Sequence, residues 1–162
     1  MQNKIVTNLD DLIKITNKLK EEGNKIVFGN GCFDIIHVGH IRYLKEAKSL
    51  GNYLIIAINS DLSTKKLKGN DHLIIPEEER MEIVAAIEYV DFVTIFSEPT
   101  VETLLSRLKP HIHAKGTDYS KETVPEKEVT KAYGGEIAIV GDKKDHSSTE
   151  IKSILRKQGA MN

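Results

Sequence analysis

The chain of 162 residues contains a single cysteine, Cys32, and no tryptophan. A lone cysteine forms no internal disulfide, so a reducing compartment fits best. Charge of one sign is missing as well: 23 Lys and Arg stand against 24 Asp and Glu, a formal charge of −1. That balance argues against a broad nucleic-acid surface, which needs clustered basic residues. No apolar run reaches membrane length, and the opening MQNKIVTNLDD lacks the hydrophobic region of a signal peptide. A cytoplasmic protein with no membrane partner is expected. What remains is an ordinary globular composition, 40% hydrophobic and 29% charged, in a chain long enough for a real core. No internal repeat, low-complexity tract or interdomain linker interrupts it, so a single domain over residues 1–162 is expected.

The order of hydrophobic patterns is informative. Asn8–Gly23 carries apolar residues at mostly helical spacing, with Asn8 or Asp10 as cap and Gly23 as stop, predicting a leading helix at about 9–22. KIVFGN reads as a short buried strand, and VGHIRYLKEAKSLG as a helix ending at Gly51. Tyr53–Asn59 is almost continuously apolar, the signature of a strand covered on both faces. Ser60 or Asp61 then caps a short basic helix through about Lys66. Pro76 opens PEEERMEIVAAIEYV, with acids near the positive helix end. DFVTIF, HIHAKG and EIAIVG read as further strands; Pro99–Leu108, Val124–Tyr133 and SSTEIKSILRKQ read as helices. This alternation predicts an α/β, Rossmann-like doubly wound sheet of about five parallel strands with helices on both faces. Ligands of such sheets sit at the carboxyl ends of the strands. Three chemistry-rich segments follow strands there: GNGCFDIIHVGH, NSD with the lysines after it, and KGTDY.

In GNGCFDIIHVGH, His37 and His40 lie three residues apart and share a face if both sit in a first helical turn. A helix start offers unpaired N–H groups and partial positive charge to anions. Gly29 and Gly31 would let the loop backbone approach a ligand. The combination suits a nucleotide triphosphate, with amides on its oxygens and imidazoles on the charge that builds during transfer. Zinc would need three or four ligands; His72, His111, His113 and His146 follow no Cys/His spacing, so no protein metal site is expected. The stretch matches neither G-x-G-x-x-G nor a G-x-x-x-x-G-K-[ST] loop.

His37-Val38-Gly39-His40 resembles the H-x-G-H signature of the nucleotidylyltransferase superfamily, with Gly31-Cys32-Phe33-Asp34 in its G-x-F-D place. Ser147-Ser148-Thr149 resembles the superfamily's second signature, at the start of the last helix. Within the superfamily, NGCFDIIHVGHIRYLKEAKSLG, INSD, LKG, PEEERMEIVAAIEYVD, FSEPT, KGTDY and YGGEI are similar to the bacterial D-glycero-D-manno-heptose 1-phosphate adenylyltransferases, which make ADP-heptose for lipopolysaccharide.

That resemblance implies adenylyl transfer from ATP to a sugar 1-phosphate, with release of pyrophosphate and no protein nucleophile. It assigns His37 and His40 to the phosphates, His40 to the α-phosphate, and Lys68 to the catalytic set. Gly31, Cys32, Phe33, Lys115, Gly116, Asp118, Tyr119, Ser147, Ser148 and Thr149 would bind the nucleotide. Lys66, Arg80 and Asp61 are substrate-phosphate candidates, although Arg80 is also spaced to pair with Glu77 and Asp61 to cap a helix. Asp34 is expected to orient its loop through backbone hydrogen bonds, and His111 and His113 to be structural. Mg²⁺ would be held mainly through substrate phosphates. The leading helix could pack on its own sheet or on a second subunit, leaving a homodimer open. A cytidylyltransferase on glycerol 3-phosphate or another small phosphate, and a non-catalytic nucleotide-binding module, are the alternatives.

Overall fold

In the computed structural model, residues 3–69, 73–143 and 148–161 are described. Their elements run α1 (Leu9–Glu21), β1 (Ile26–Gly31), α2 (Val38–Ser49), β2 (Tyr53–Asn59), α3 (Asp61–Lys68), α4 (Glu77–Ala85), β3 (Phe92–Phe96), α5 (Glu102–Leu108), β4 (Ile112–Lys115), α6 (Lys127–Ala132), β5 (Glu136–Ile139) and α7 (Ser148–Met161). The five strands form one parallel sheet in the order β3-β2-β1-β4-β5, the doubly wound arrangement expected from the alternation.

The sheet separates two apolar layers. Val27, Leu54, Ile56, Ile58, Ile112 and Ala114 face Leu44 and Ala47 of α2 and Val84 of α4. Ile26, Phe28, Ile55 and Ala57 face Leu12 of α1 and Leu104, Leu105 and Leu108 of α5. Because successive strand residues point to opposite faces, the near-continuous apolar run of β2 serves both layers. The leading helix packs on its own sheet: Leu12 and Thr16 are buried, and Lys20 Nζ donates to the Leu108 carbonyl at 2.5 Å. Asn8 caps α1 by accepting from Asp11 N, and Gly23, at φ +85°, ends it in a left-handed turn where a Cβ would be strained. Ahead of α1, Ile5 bridges Val93 in parallel and covers the β3 edge.

Several helix ends depart from the expected ones. Helix α3 continues to Lys68. Helix α6 begins at Lys127, not Val124, because Pro125 disfavours helical backbone at the residue before it. Helix α5 begins at Glu102, not Pro99, and α4 closes at Ala85, after which Ile87 and Val90 form tighter turns onto Val84 and Ile87.

Candidate active site

Strand β1 is central, flanked by β2 on one side and β4 on the other, so the chain's winding direction reverses between β1 and β4. A cavity of about 760 Å³ opens at the carboxyl ends of these strands. Its floor is Asn30–Asp34, Asn59 and Ala114–Tyr119; its walls are the start of α2, the end of α3, Glu126 ahead of α6, and Lys152 of α7.

The two motif histidines build the start of α2 between them. His37 is the cap residue, and its Nδ1 accepts from Gly39 N at 3.1 Å. His40 reaches back, its Nδ1 accepting from His37 N at 3.2 Å. This is a reciprocal cap in which imidazoles replace the usual hydroxyl and carboxylate. Each Nδ1 accepts from a backbone N–H, so each ring carries its proton on Nε2. The rings lie 4.0 Å apart, centroid to centroid.

The preceding loop supports this arrangement. Phe33 adopts φ +51°, an unfavourable backbone for a residue with a side chain, and its ring lies 5.3 Å from that of His40. A Cβ at position 31 would meet the Phe33 ring at 3.0 Å, so Gly31 gives the ring its place. Gly29 was expected to admit a ligand; instead, the space beside its Cα holds the Tyr43 hydroxyl, which donates to the Ala114 carbonyl at 2.6 Å. Asp34 accepts from Ile75 N at 2.8 Å and from Ile74 N, and forms an ion pair with Lys152. Burial alone would raise the Asp34 carboxyl. The Lys152 hydrogen bond and the Ile75 and Ile74 amides outweigh it and hold the carboxyl below its ordinary value.

The other expected site residues divide between cavity and framework. Gly31, Cys32, Phe33, Lys68, Lys115, Gly116, Asp118 and Tyr119 line the cavity with the two histidines. Lys66 is exposed on α3, outside it. Arg80 does not face it either. Fully buried, it donates to the carbonyls of Cys32 at 2.6 Å, Asn59 at 2.9 Å and Ile75 at 3.0 Å, and pairs with Asp61 at 2.7 Å. The guanidinium fork satisfies strand-end carbonyls that would otherwise be buried unpaired. Asp61, held by Arg80, is likewise outside the lining, and Ser60 caps α3 by accepting from Ser63 N. Glu77 accepts from Asp61 N and does not pair with Arg80. Ser147, like His72 and His146, lies outside the described residues; of Ser148 and Thr149 only the backbone opening α7 is described. His113 is buried beside Phe28, its Nε2 3.1 Å from Asn30 Oδ1, and His111 Nδ1 accepts from Ile26 N; both serve the sheet.

Lys152, Glu126 and Asn30 line the cavity without having been expected there.

The residues from 28 to 154 match the model of the cytidylyltransferase-like family. The chain belongs to that family. Among cytidylyltransferase-like relatives, three proteins called bifunctional protein HldE are close to it in sequence. That of Geobacter metallireducens is 45% identical over 155 residues, covering 95% of this chain and 32% of the relative. The Hahella chejuensis protein is 49% identical over 138 residues, covering 85% and 29%. The Pseudomonas aeruginosa protein is 40% identical over 154 residues, covering 95% and 32%. The chain thus spans about a third of the length of the curated relatives it matches. A solved structure, the lipopolysaccharide core biosynthesis protein of Thermoplasma volcanium, is similar at a TM-score of 0.64 and 29% identity, over 75% of this chain and 100% of that one.

Cys32 Sγ lies 3.6 Å from Thr64 Oγ1, with no histidine paired to it among the described residues. Among the described residues, no group of three or more His, Cys, Asp or Glu is placed to hold a metal ion, and no helix is long and apolar enough to cross a membrane.

Proposed function

We propose that this chain transfers AMP from ATP to D-glycero-D-manno-heptose 1-phosphate, forming ADP-heptose and pyrophosphate. The observation that carries the reading is the reciprocal His37–His40 cap at the switch point of the sheet, with both ring protons on Nε2. Family membership and the lipopolysaccharide assignment of the Thermoplasma volcanium protein support it.

An oxygen of the sugar phosphate attacks the α-phosphorus in line, a new P–O bond forms, and the bond to the β-phosphate oxygen breaks. Pyrophosphate leaves with the electron pair. The attacking phosphate is already anionic near neutral pH, so the protein's work is positioning and charge stabilisation. His40 Nε2–H donates to the α-phosphate oxygen and His37 Nε2–H to a neighbouring one. Lys68, with the N–H groups at the start of α7, gathers the remaining charge, because the imidazoles themselves occupy the amides of His37 and Gly39. Gly31, Cys32, Phe33, Gly116, Asp118 and Tyr119 line the nucleotide's share of the cavity, and Ser147, Ser148 and Thr149 are assigned to its phosphates by the motif they resemble.

Magnesium fits as an ion that arrives on the triphosphate, because the motif-loop carboxylate is committed: Asp34 is engaged by Ile74, Ile75 and Lys152. When bound it would neutralise charge across the phosphates. The reading carries a cytoplasmic location, where ATP is abundant, and leaves a homodimer open to light scattering.

The deciding experiment is a matrix of ATP, CTP, GTP and UTP against heptose, hexose and polyol phosphates, scored by pyrophosphate release. Turnover with ATP and heptose 1-phosphate alone is expected. His40→Asn keeps an acceptor near Nδ1 for the cap but removes Nε2–H, and should lower turnover about 10²- to 10³-fold. Near wild-type turnover in that variant, or CTP with glycerol 3-phosphate as the best pair, overturns the reading.

A further inference from the structure

The cavity straddles the sheet edge. His37 and His40 stand over the layer that contains Leu44 and Ala47 of α2. Lys115 is two residues past His113, whose ring packs on Phe28, so its side chain points into the opposite layer, as does that of Asn30, two past Phe28. In that second wing Glu126, only 6% exposed, has its Oε2 buried with no hydrogen-bond partner among the described residues. The nearest cation is Lys115 Nζ at 3.7 Å, too far for a hydrogen bond, and it is steadied beneath the Tyr119 ring at 4.5 Å. A buried carboxylate oxygen left without a donor is costly unless something supplies one.

We propose that Glu126 and Lys115 form the acceptor-hydroxyl subsite, in which one hydroxyl of the sugar phosphate donates to Glu126 Oε2 and accepts from Lys115 Nζ. A hydroxyl is the small group that does both at once. A phosphate oxygen only accepts and is repelled by the carboxylate, so this wing does not hold the triphosphate. Asn59, two past Ala57, and Asn30 line the same wing and give it the polar character that suits a polyol. The Asn30 amide is oriented by His113: with Oδ1 toward the His113 ring, its NH₂ is the group left for a ligand. Lys115 therefore moves from the nucleotide's side to the acceptor's.

This assignment rests on the proposed transfer to a sugar phosphate and is tested separately from it. In the full chain, Glu126→Ala should raise the KM for heptose 1-phosphate about tenfold or more, and leave the KM for ATP within about twofold of wild type. Glu126→Gln, which keeps one acceptor, should fall between. Monodeoxy analogues of the heptose 1-phosphate identify the hydroxyl: its removal slows the wild type but costs Glu126→Ala nothing further. The deoxy series on the wild type alone still decides the matter if the alanine variant fails to fold, since a series with no sensitive hydroxyl overturns the subsite. A raised KM for ATP with an unchanged KM for the sugar also overturns it and gives the pair to the base or ribose. Wild-type protein that turns over no sugar phosphate defeats the functional reading and this subsite together. Active wild type with variants of unaltered kinetics defeats the subsite alone.

Discussion

Gly39 and His37 compete for one space. A Cβ at position 39 would stand 2.8 Å from Cε1 and 2.9 Å from Nδ1 of His37, while the Gly39 amide is the donor that holds that same Nδ1. The glycine of the motif is required by its own neighbour's ring. Gly39→Ala should displace the imidazole and lower kcat about 10²-fold, with little change in far-ultraviolet circular dichroism. Steady-state kinetics with unchanged kcat would show that the ring has another way to sit.

Arg80 should prove a stability residue. Arg80→Met removes the donor for the carbonyls of Cys32, Asn59 and Ile75 and the partner of Asp61. A loss of about 3 kcal/mol or more is expected, read as a lower urea midpoint. Arg80→Lys should recover only part of it, because an ammonium cannot reproduce the fork. A variant with wild-type stability and a raised KM for ATP would return Arg80 to the substrate.

Burial, with the Lys115 charge adding to it, pushes the His113 imidazole down from 6.5 to about 3. Between those values the unfolded chain binds a proton that the folded chain refuses. Stability from this residue is therefore full above about pH 6.5 and falls as pH drops toward 3. In His113→Gln the fall in urea midpoint between pH 7 and pH 5 should be shallower than in wild type. Equal slopes would mean that the ring takes up a proton without unfolding.

Asp34 governs a lower window. Its carboxyl sits below the ordinary 3.8, so its contribution is complete above the unfolded value and is lost as pH falls through the folded one. Lys152→Met removes the chief lowering partner and leaves burial to raise the carboxyl. Acid unfolding followed by circular dichroism should then begin at higher pH than in wild type. An unmoved acid transition would show that the Ile74 and Ile75 amides suffice.

What the sequence could be read for depended on how local each determinant was. The parallel sheet was legible because β2 is apolar along its length and β1 and β3 repeat the pattern at regular intervals. The His37–His40 pair was legible because its chemistry sits within one helical turn. Arg80 misled because its surroundings are assembled from Cys32 and Asn59, strand ends far from it in the chain, and nothing beside it in PEEER reports burial. Glu126 gave no sign at all: it follows a proline in a polar loop, and only the folding of that loop back onto the end of β4 brings it to face Lys115.

The helix start has a consequence for how such a protein ages. His37 Nδ1 holds the Gly39 amide and His40 Nδ1 holds the His37 amide, so loss of either ring would loosen the first turn of α2 as well as remove an Nε2–H. A descendant that abandoned the reaction would still be held to both rings, or to residues that mimic their acceptors. Drift would first be recorded at Lys68, which lines the cavity yet anchors no backbone bond among the described residues. An intact histidine pair therefore testifies to the helix as well as to the reaction, whereas the lysine has no second task.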